Sequence, residues 1–261
     1  GDLVGALYHP DDGHVAPVDL TMALAKGARM NGGEIYTKTE VTGIRQKQND
    51  EWVVSTSQGD ITCEVVISCT GNYARETGRM VGLELPVVPV EHQYIVTGAI
   101  PELAEYNQGG NPELAVLRES DASYYMRQEA DGLILGPYEK GAPCWALDGV
   151  PEGFGQELLA PDVERLEPHV IAAGKRVPLF ESAGMKECIN GPIAYTPDGN
   201  PIVGPAPGLR NFYLSEGHSF GITAAGGSGK FLAEWIIEGH ASIDMLGVDP
   251  RRYSAAQSTR D

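Results

Sequence analysis

The sequence predicts a protein of the α/β class, in which an antiparallel sheet interrupts an open α/β domain. The inserted sheet gives the whole chain an α+β character. The continuous apolar strand Val65–Cys69 is typical of a parallel sheet, and Thr70-Gly71 follows at its carboxyl end. Between residues 87 and 184 the pattern changes to short alternating strands. A strand at Asn211–Leu214 then leads through a glycine-rich turn into a helix.

The first element that the periodicity predicts is a helix at Asp19–Asn31, with Asp19 as its N-cap and Gly32-Gly33 after its end. Residues 34–44 follow as two short strands, and residues 51–57 and 60–64 as a meander that turns at Gly59. The apolar face of the helix consists of Leu20, Ala23, Leu24 and Ala28.

The inserted sheet is built from four predicted strands and is followed by a helix at Gly155–Pro168. The chain then divides into residues 1–86, residues 87–184 with the inserted sheet, and residues 185–261, which return to the first domain and end in a helix at Gly227–Glu238. The four strands are His92–Thr97, Ala115–Arg118, Ser123–Gln128 and Leu133–Tyr138.

The composition excludes several functional classes. With 36 acidic and 19 basic residues the net charge is -17, which disfavours nucleic acid and anionic membranes as partners. No apolar run approaches the roughly 20 residues that span a bilayer. The 4 cysteines and 6 histidines show no metal-ligand spacing, so we expect no metal site.

Three segments carry a resemblance to a known family: residues 9–28 (HPDDGHVAPVDLTMALAKGA), residues 90–97 (VEHQYIVT) and the glycine-rich stretch 191–235. Together they resemble the FAD-dependent amine oxidoreductases of the D-amino-acid oxidase superfamily, and most of all the dimethylglycine and sarcosine dehydrogenase branch. The resemblance implies an FAD-binding Rossmann-like domain with an inserted antiparallel substrate domain.

The dinucleotide fingerprint G-x-G-x-x-G that such a family implies is absent from the sequence. The nearest candidate, Gly226–Gly229, has another spacing and follows the wrong element. We therefore expect the chain to be the central and C-terminal part of a larger flavoprotein, and to bind FAD poorly in isolation.

The cofactor contacts that the resemblance implies fall in four places. The glycine-rich turn before the last helix brings a helix N-terminus towards a negatively charged flavin edge. The alternative is an ordinary strand-turn-helix connection. The implied positions are Val41, Thr70, Gly71, Gly191, Gly217, His218, Ser219, Gly221 and Ile222.

The candidate catalytic residues are His92, Tyr125 and Tyr124. A histidine titrates near neutrality and can accept a proton from an amine, and the HQY motif of His92 resembles the active-site histidine of dimethylglycine-oxidising relatives. Strand alternation places the two tyrosines on opposite faces, so only one is expected to face the flavin. The alternatives are a structural histidine and ordinary strand aromatics.

Three further side chains are candidates for substrate binding: Tyr138, Arg127 and His218. Tyr138 lies on the strand after the tyrosine pair. Arg127 shares the parity of Tyr125, and it or Arg118 has the fork geometry that grips a carboxylate. The alternative for each arginine is a solvated strand residue, and for His218 a turn histidine facing solvent.

The resemblance implies oxidation of the N-methyl group of a small amine such as dimethylglycine or sarcosine, by hydride transfer to flavin N5 and through an iminium that yields formaldehyde. Electrons would pass to an electron-transfer flavoprotein or to oxygen, and folate is a further candidate partner. The alternatives are a non-catalytic regulatory relative and an inert fragment. The expected compartment is the cytoplasm, with the mitochondrial matrix as the alternative.

Overall fold

The computed structural model describes residues 3–254, which cluster into two compact units. Unit I consists of residues 3–35, 93–140 and 160–190, and unit II of residues 36–92, 141–159 and 191–254. The chain changes unit within two long strands, a few residues after positions 86 and 184. The domain boundaries inferred from the sequence stay predictions.

The described residues form α-helices separated by runs of β-strands. The helices are α1 Pro17–Met30, α2 Ala74–Met80, α3 Pro101–Gln108, α4 Val163–Arg176, α5 Pro178–Ser182 and α6 Gly221–Glu238. The strands are β1 Val41–Gln46, β2 Trp52–Thr56, β3 Gly59–Cys63, β4 Val66–Ser68, β5 Val88–Thr97, β6 Leu117–Glu119, β7 Tyr124–Glu129, β8 Gly132–Pro137, β9 Met185–Tyr195, β10 Ile202–Pro205 and β11 Phe212–Glu216.

Unit II contains two three-stranded sheets. One is the antiparallel meander β1-β2-β3, and the other has the order β10-β11-β4, with β11 parallel to β4. Trp52 anchors the core of this unit: its ring meets Phe212 edge-on at 5.2 Å, and its indole N–H donates to the Arg210 carbonyl at 3.0 Å. The buried cluster around this pair joins both sheets.

The five-stranded sheet has the order β6-β7-β8-β5-β9, and β5 and β9 continue from unit I into unit II. The pairs β6-β7, β7-β8 and β8-β5 are antiparallel. Residues of α3, α4 and α5 cover one face of this sheet, and the apolar core beneath them includes Leu103, Leu166, Phe180 and Leu135. The helices therefore leave the other face of the sheet available for a site.

The fold class is confirmed, but α1 differs from its prediction. The helix begins at Pro17, with Ala16 as the N-cap, and Asp19 lies in its first turn. Proline at the first helical position explains the earlier start, because its missing N–H is not needed there. No residue of α1 is buried, and Leu24 is 58% exposed, so nothing in the described part of the chain covers the predicted apolar face.

Two other predictions in the first half of the chain are wrong in part. Residues 34–40 form no strand, and only β1 is present in this stretch. Strand β4 is parallel as predicted, but it is not covered on both faces by described residues, since Ile67 is 46% exposed.

The helix predicted at 155–168 instead occupies α4, residues 163–176. Asp162 caps it by accepting from the Arg165 N–H at 3.4 Å, and Pro168 lies inside it. Helix α6 begins at Gly221, so Gly226, Gly227 and Gly229 belong to the helix and not to the turn before it. None of the helices of residues 3–254 is both long enough and apolar enough to cross a membrane.

Candidate functional site

Strict alternation along β7 separates the two tyrosines. Tyr124 is 2% exposed and belongs to the apolar core under the helices, together with Met126. Tyr125 and Arg127 point to the opposite side of the sheet, where they are half-buried. Tyr124 therefore leaves the set of candidate catalytic residues.

Tyr125 occupies the face of the sheet opposite the helices, the site face. Strand pairing aligns Arg118 on β6, Tyr125 on β7 and Gly136 on β8 in one row across it. The rings of Tyr125 and Tyr138 lie 6.0 Å apart between centroids, and Arg118 Nη2 donates to the Tyr138 hydroxyl at 3.2 Å. The site face of unit I is defined by Tyr94, Arg118, Tyr125, Arg127, Gly136 and Tyr138.

The two arginines of the site face differ in their partners. Arg127 Nη1 donates to the Gln128 carbonyl at 2.9 Å and forms an ion pair with Glu129. Arg118 has no carboxylate partner among residues 3–254. Arg127 is therefore engaged within the protein, whereas Arg118 is available to bind an anion; substrate binding by Arg127 stays a prediction.

The phenol of Tyr125 is held in its protonated form. Burial raises the pKa of Tyr125, and the neighbouring Tyr138 and Tyr94 add to this, while Arg127 and Arg118 act in the opposite direction. A neutral phenol at physiological pH can donate a hydrogen bond to a ligand on this face.

His92 lies on β5, two residues before Tyr94 and hence on the same side of that strand. Burial lowers the pKa of His92 below the ordinary histidine value. The imidazole is therefore uncharged at neutral pH, which is the form that accepts a proton.

The neighbour of His92, Gln93, is fully buried on the core side of β5. Its amide donates to Glu139 at 3.2 Å and to the Asp162 carbonyl at 3.1 Å, and its carbonyl accepts the Asp162 N–H at 2.6 Å. These bonds tie the start of α4 to β5. Gln93 was not predicted from the sequence; the only signal for its burial is strand alternation within the HQY motif.

In unit II, Gly217 and His218 form the turn between β11 and α6. Gly217 has φ +68°, and a Cβ on it would lie 2.5 Å from Thr196 Cγ2. Both the backbone conformation and the lack of space therefore require glycine at this position. His218 Nε2 lies 3.0 Å from Ser215 Oγ, and burial lowers the pKa of this histidine. Its Nδ1 is buried without a partner among the described residues.

The N-terminus of α6 is open. Its N-cap, Phe220, makes no side-chain capping bond, and its second residue, Ile222, is 38% exposed. Small residues make up most of residues 221–229, and the majority of them are exposed. The unpaired N–H groups of the first turn and the helix dipole favour a negatively charged or hydrogen-bond-accepting ligand here.

The amides of Thr70 and Gly71 already have a partner inside the protein. Both donate to the carboxylate of Glu216 at 2.9–3.0 Å, and the Ser68 hydroxyl donates to the same group at 2.6 Å. These backbone donors are therefore taken, and a contact of Thr70 or Gly71 with a cofactor would need other atoms. Glu216 itself was missed, because nothing in its sequence neighbourhood distinguishes it from a surface glutamate.

The remaining predicted cofactor residues are spread over unit II. Val41 opens β1 and is 37% exposed beside an irregularity in the β1-β2 pairing. Gly191 lies within β9, where a Cβ would meet nothing within 4 Å. Ser219 Oγ donates to the Gly199 carbonyl at 3.4 Å, and Gly221 begins α6.

A family model described as FAD dependent oxidoreductase matches residues 1–235. The chain belongs to this family. FAD is the cofactor of its members, and the resemblance stated from the sequence is confirmed.

Relatives with curated descriptions support the same branch. The chain is 42% identical over 263 residues to mitochondrial dimethylglycine dehydrogenase of Mus musculus, covering 99% of this chain and 30% of that protein. It is 37% identical to mitochondrial sarcosine dehydrogenase of Homo sapiens, covering 97% of this chain and 27% of that protein. The chain thus spans about a third of the length of these relatives.

Two further similarities bear on function and fold. The mitochondrial pyruvate dehydrogenase phosphatase regulatory subunit of Mus musculus is 32% identical over 99% of this chain and 29% of that protein. The crystal structure of L-proline dehydrogenase from P. horikoshii superposes with a TM-score of 0.73 at 27% identity, covering 90% of this chain and 59% of that one.

The residues of unit II fit part of FAD. The orphaned Nδ1 of His218 and the open N-terminus of α6 offer polar contacts, and the small residues of α6 leave its surface accessible to a flat ring. The sequence holds no G-x-G-x-x-G fingerprint for the pyrophosphate, and the Thr70-Gly71 amides are engaged by Glu216. The fit therefore concerns the flavin end of the cofactor.

Proposed function

We propose that a protein carrying this chain oxidises the N-methyl group of a small secondary or tertiary amino acid, dimethylglycine or sarcosine being the best candidates. The observation that carries the proposal is the site face, where Tyr125 and Tyr138 lie beside Arg118, a cation without a carboxylate partner in the described residues. The similarity to dimethylglycine and sarcosine dehydrogenases supports this substrate class.

Arg118 binds the substrate carboxylate in this proposal. A guanidinium offers two parallel N–H donors to a carboxylate, and its charge is permanent. The Tyr138 hydroxyl, which already accepts from Arg118 at 3.2 Å, fixes the orientation of the guanidinium. A carboxylate held at one end leaves the amine of a glycine derivative only two bonds away.

His92 keeps the amine in its reactive form. An ammonium group has no lone pair with which to expel a hydride, so the amine proton must leave first. The neutral imidazole, kept so by the burial that lowers the pKa of His92, accepts this proton. Tyr125, protonated because its pKa is raised, donates a hydrogen bond to the bound substrate and orients it. FAD, when bound, supplies the hydride acceptor.

His218 and the first turn of α6 hold the flavin in this proposal, and Gly217 keeps the turn tight enough to present them. We further propose that the isolated chain holds FAD weakly, because its residues provide no pyrophosphate cradle. Electron-transfer flavoprotein and folate remain proposed partners. The mitochondrial relatives favour the mitochondrial matrix over the cytoplasm as the compartment.

The alternative function is a regulatory one without catalysis. It is favoured by one observation, the 32% identity to a phosphatase regulatory subunit. The presence of His92, Tyr125 and Arg118 in one chain supports the catalytic proposal, since a purely regulatory role requires neither a proton acceptor nor an anion-binding arginine.

An anaerobic titration of the FAD-loaded full-length protein separates the two functions. Dimethylglycine and sarcosine should bleach the flavin band near ~450 nm, the usual flavin chemistry. Trimethylglycine is the matched control, because its quaternary nitrogen has no lone pair, and it should leave the band in place. A flavin that stays oxidised with all three compounds would overturn the catalytic proposal in favour of the regulatory one.

A further inference from the structure

Gly136 is the only residue of its row on the site face that has no side chain. It lies inside β8, directly opposite Tyr125 on β7, and all other residues of the strand are fully buried as well. Glycine weakens a strand interior, because it adds backbone freedom and contributes no packing. Its presence between Leu135 and Pro137 therefore requires a physical reason.

The backbone conformation does not require a glycine at position 136. Gly136 is absent from the residues with positive φ, so any L-residue could adopt its conformation. The reason is also not a close approach of another main chain, in contrast to Gly132 on the same strand, whose Cβ would lie 2.9 Å from the Gly98 carbonyl oxygen. The constraint at Gly136 comes from a side chain.

That side chain is Tyr125. An ideal Cβ on Gly136 would lie 2.0 Å from Tyr125 Cζ, and 2.3 Å from both its Cε1 and its hydroxyl oxygen. The ring therefore leans over the backbone of β8 and does not stand away from the sheet. The end that carries the hydroxyl occupies the volume that a Cβ would take.

This position moves the hydroxyl across the sheet. Neighbouring strands are about 4.8 Å apart, so a ring rooted on β7 and lying over Gly136 brings its hydroxyl to β8, one strand from β5. The influence of Tyr94, a β5 residue, on the pKa of Tyr125 agrees with this placement. With any side chain at 136, the ring would have to rotate away from β5.

We propose that Gly136 is the positioning residue for Tyr125, and that its missing side chain sets where the phenol is presented on the site face. The inference rests on the proposed function for its catalytic consequence, but the packing itself does not. Gly136 touches no substrate in this proposal and acts only through the ring above it.

A double-mutant cycle on thermal unfolding tests the packing without any activity. Gly136→Ala should lower Tm in the wild-type background. In a Tyr125→Ala background, where the ring is gone, the same substitution should leave Tm unchanged or raise it. Gly43→Ala is the matched control, since it is also a strand glycine and its Cβ would meet only Ser55 Cβ, at 3.9 Å. Equal effects of Gly136→Ala in both backgrounds would overturn the proposal.

The positioning role is tested by kinetics of the FAD-loaded full-length protein. Gly136→Ala should lower kcat about a hundredfold with little change in KM, the size of effect that a 1 Å misplacement produces. Combined with Tyr125→Phe, it should cost nothing further, because the hydroxyl that it displaces is already absent.

The outcomes distinguish the packing of Gly136 against Tyr125 from its positioning role in catalysis. If the Tm coupling is present and the losses in kcat are additive with Tyr125→Phe, Gly136 acts as a packing residue only and the positioning role is refuted. If the wild-type protein does not oxidise dimethylglycine or sarcosine, the proposed function fails while the Tm cycle still decides the packing. Should Gly136→Ala not fold, recovery of folding in the Tyr125→Ala/Gly136→Ala variant is the expected result, and failure to recover contradicts the proposal.

Discussion

The two faces of the five-stranded sheet use adjacent residues for different purposes. On one face, Tyr124 and Gln93 are buried beneath helices and have contacts that serve the core. On the other, Tyr125 and His92 are half-buried and have pKa values shifted by their surroundings. One step along a strand thus moves a side chain from the buried core to the site face, because successive residues point to opposite faces.

Two buried residues of the core face differ in how their polar groups are satisfied. Gln93 has three hydrogen bonds at 2.6–3.2 Å, whereas the Tyr124 hydroxyl is buried with no partner among residues 3–254. On the site face, Arg118 lacks a carboxylate partner within the described part of the chain but remains exposed to solvent. An unmatched charge is tolerated where water or a ligand reaches it, whereas a buried charge needs a partner.

The largest expected effect belongs to His92. His92→Asn should lower kcat/KM about a thousandfold, within the range of general acid-base catalysis. Because burial lowers the pKa of His92, wild-type kcat/KM should fall on the acid side with an apparent pKa below the ordinary ~6.5. Stopped-flow flavin reduction between pH 5 and 8 measures the loss in the variant and the pH dependence of the wild type. If the variant shows the same decrease in kcat/KM at acid pH, that decrease is due to a group other than His92.

The lowered pKa of His92 should also make the free energy of unfolding depend on pH. Its pKa is lower in the folded than in the unfolded protein, so the unfolded state binds more protons between the two values. The free energy of unfolding should therefore decrease as pH falls from ~6.5 through the lowered pKa. Urea titrations should show a weaker decrease for His92→Asn than for the wild type, and equal slopes would contradict this.

The second effect contrasts the two tyrosines. Tyr125→Phe should lower kcat/KM about a hundredfold, because it removes the phenol of the site face. Tyr124→Phe should leave kcat/KM unchanged and stabilise the fold by about 1 kcal/mol, since it removes a buried hydroxyl without a partner. Steady-state kinetics and urea unfolding of both variants check the pair. A large loss of activity in Tyr124→Phe would break the distinction between the faces.

The third effect separates the two arginines. Arg118→Lys should raise KM for dimethylglycine about tenfold, because a bidentate bond to the carboxylate is replaced by a point charge. Arg127→Lys should change KM much less, since Arg127 is occupied by Glu129 and the Gln128 carbonyl. The measurement is KM for both variants at fixed ionic strength. A larger effect at Arg127 would restore the choice made from the sequence.

The smallest expected effect on activity comes from the core face. Gln93→Leu leaves the Asp162 N–H without its partner and removes one donor to Glu139, and should lower the free energy of unfolding by about 2 kcal/mol. The value of kcat/KM should stay within about twofold of the wild type. Urea unfolding and steady-state kinetics on the same samples give the comparison. A loss of activity with intact stability would show that Gln93 belongs to the site.

Periodicity was sufficient for the strands of the inserted sheet but not for the helices. Alternation placed β5, β7 and β8 within a few residues, because period two survives whatever packs on the strand. The bounds of α4 were wrong, since the prediction placed Asp162 inside the helix and Pro168 at its end, whereas Asp162 is the N-cap and Pro168 lies inside the helix. Periodicity also predicted an apolar face on α1, but no residue of this helix is buried, and a helical pattern does not specify what packs against such a face.

The sequence by itself determined the family, the cofactor class and the opposition of Tyr124 and Tyr125, because motifs and strand parity are local properties of the chain. Only the tertiary structure decided that Arg127 has a carboxylate partner and that Arg118 has none in the described residues. It also decided that Glu216 occupies the Thr70-Gly71 amides and that Gly136 makes room for the Tyr125 ring. Each of these depends on a contact between residues on different strands. Such contacts follow from register and packing, and neither can be read from spacing along one segment.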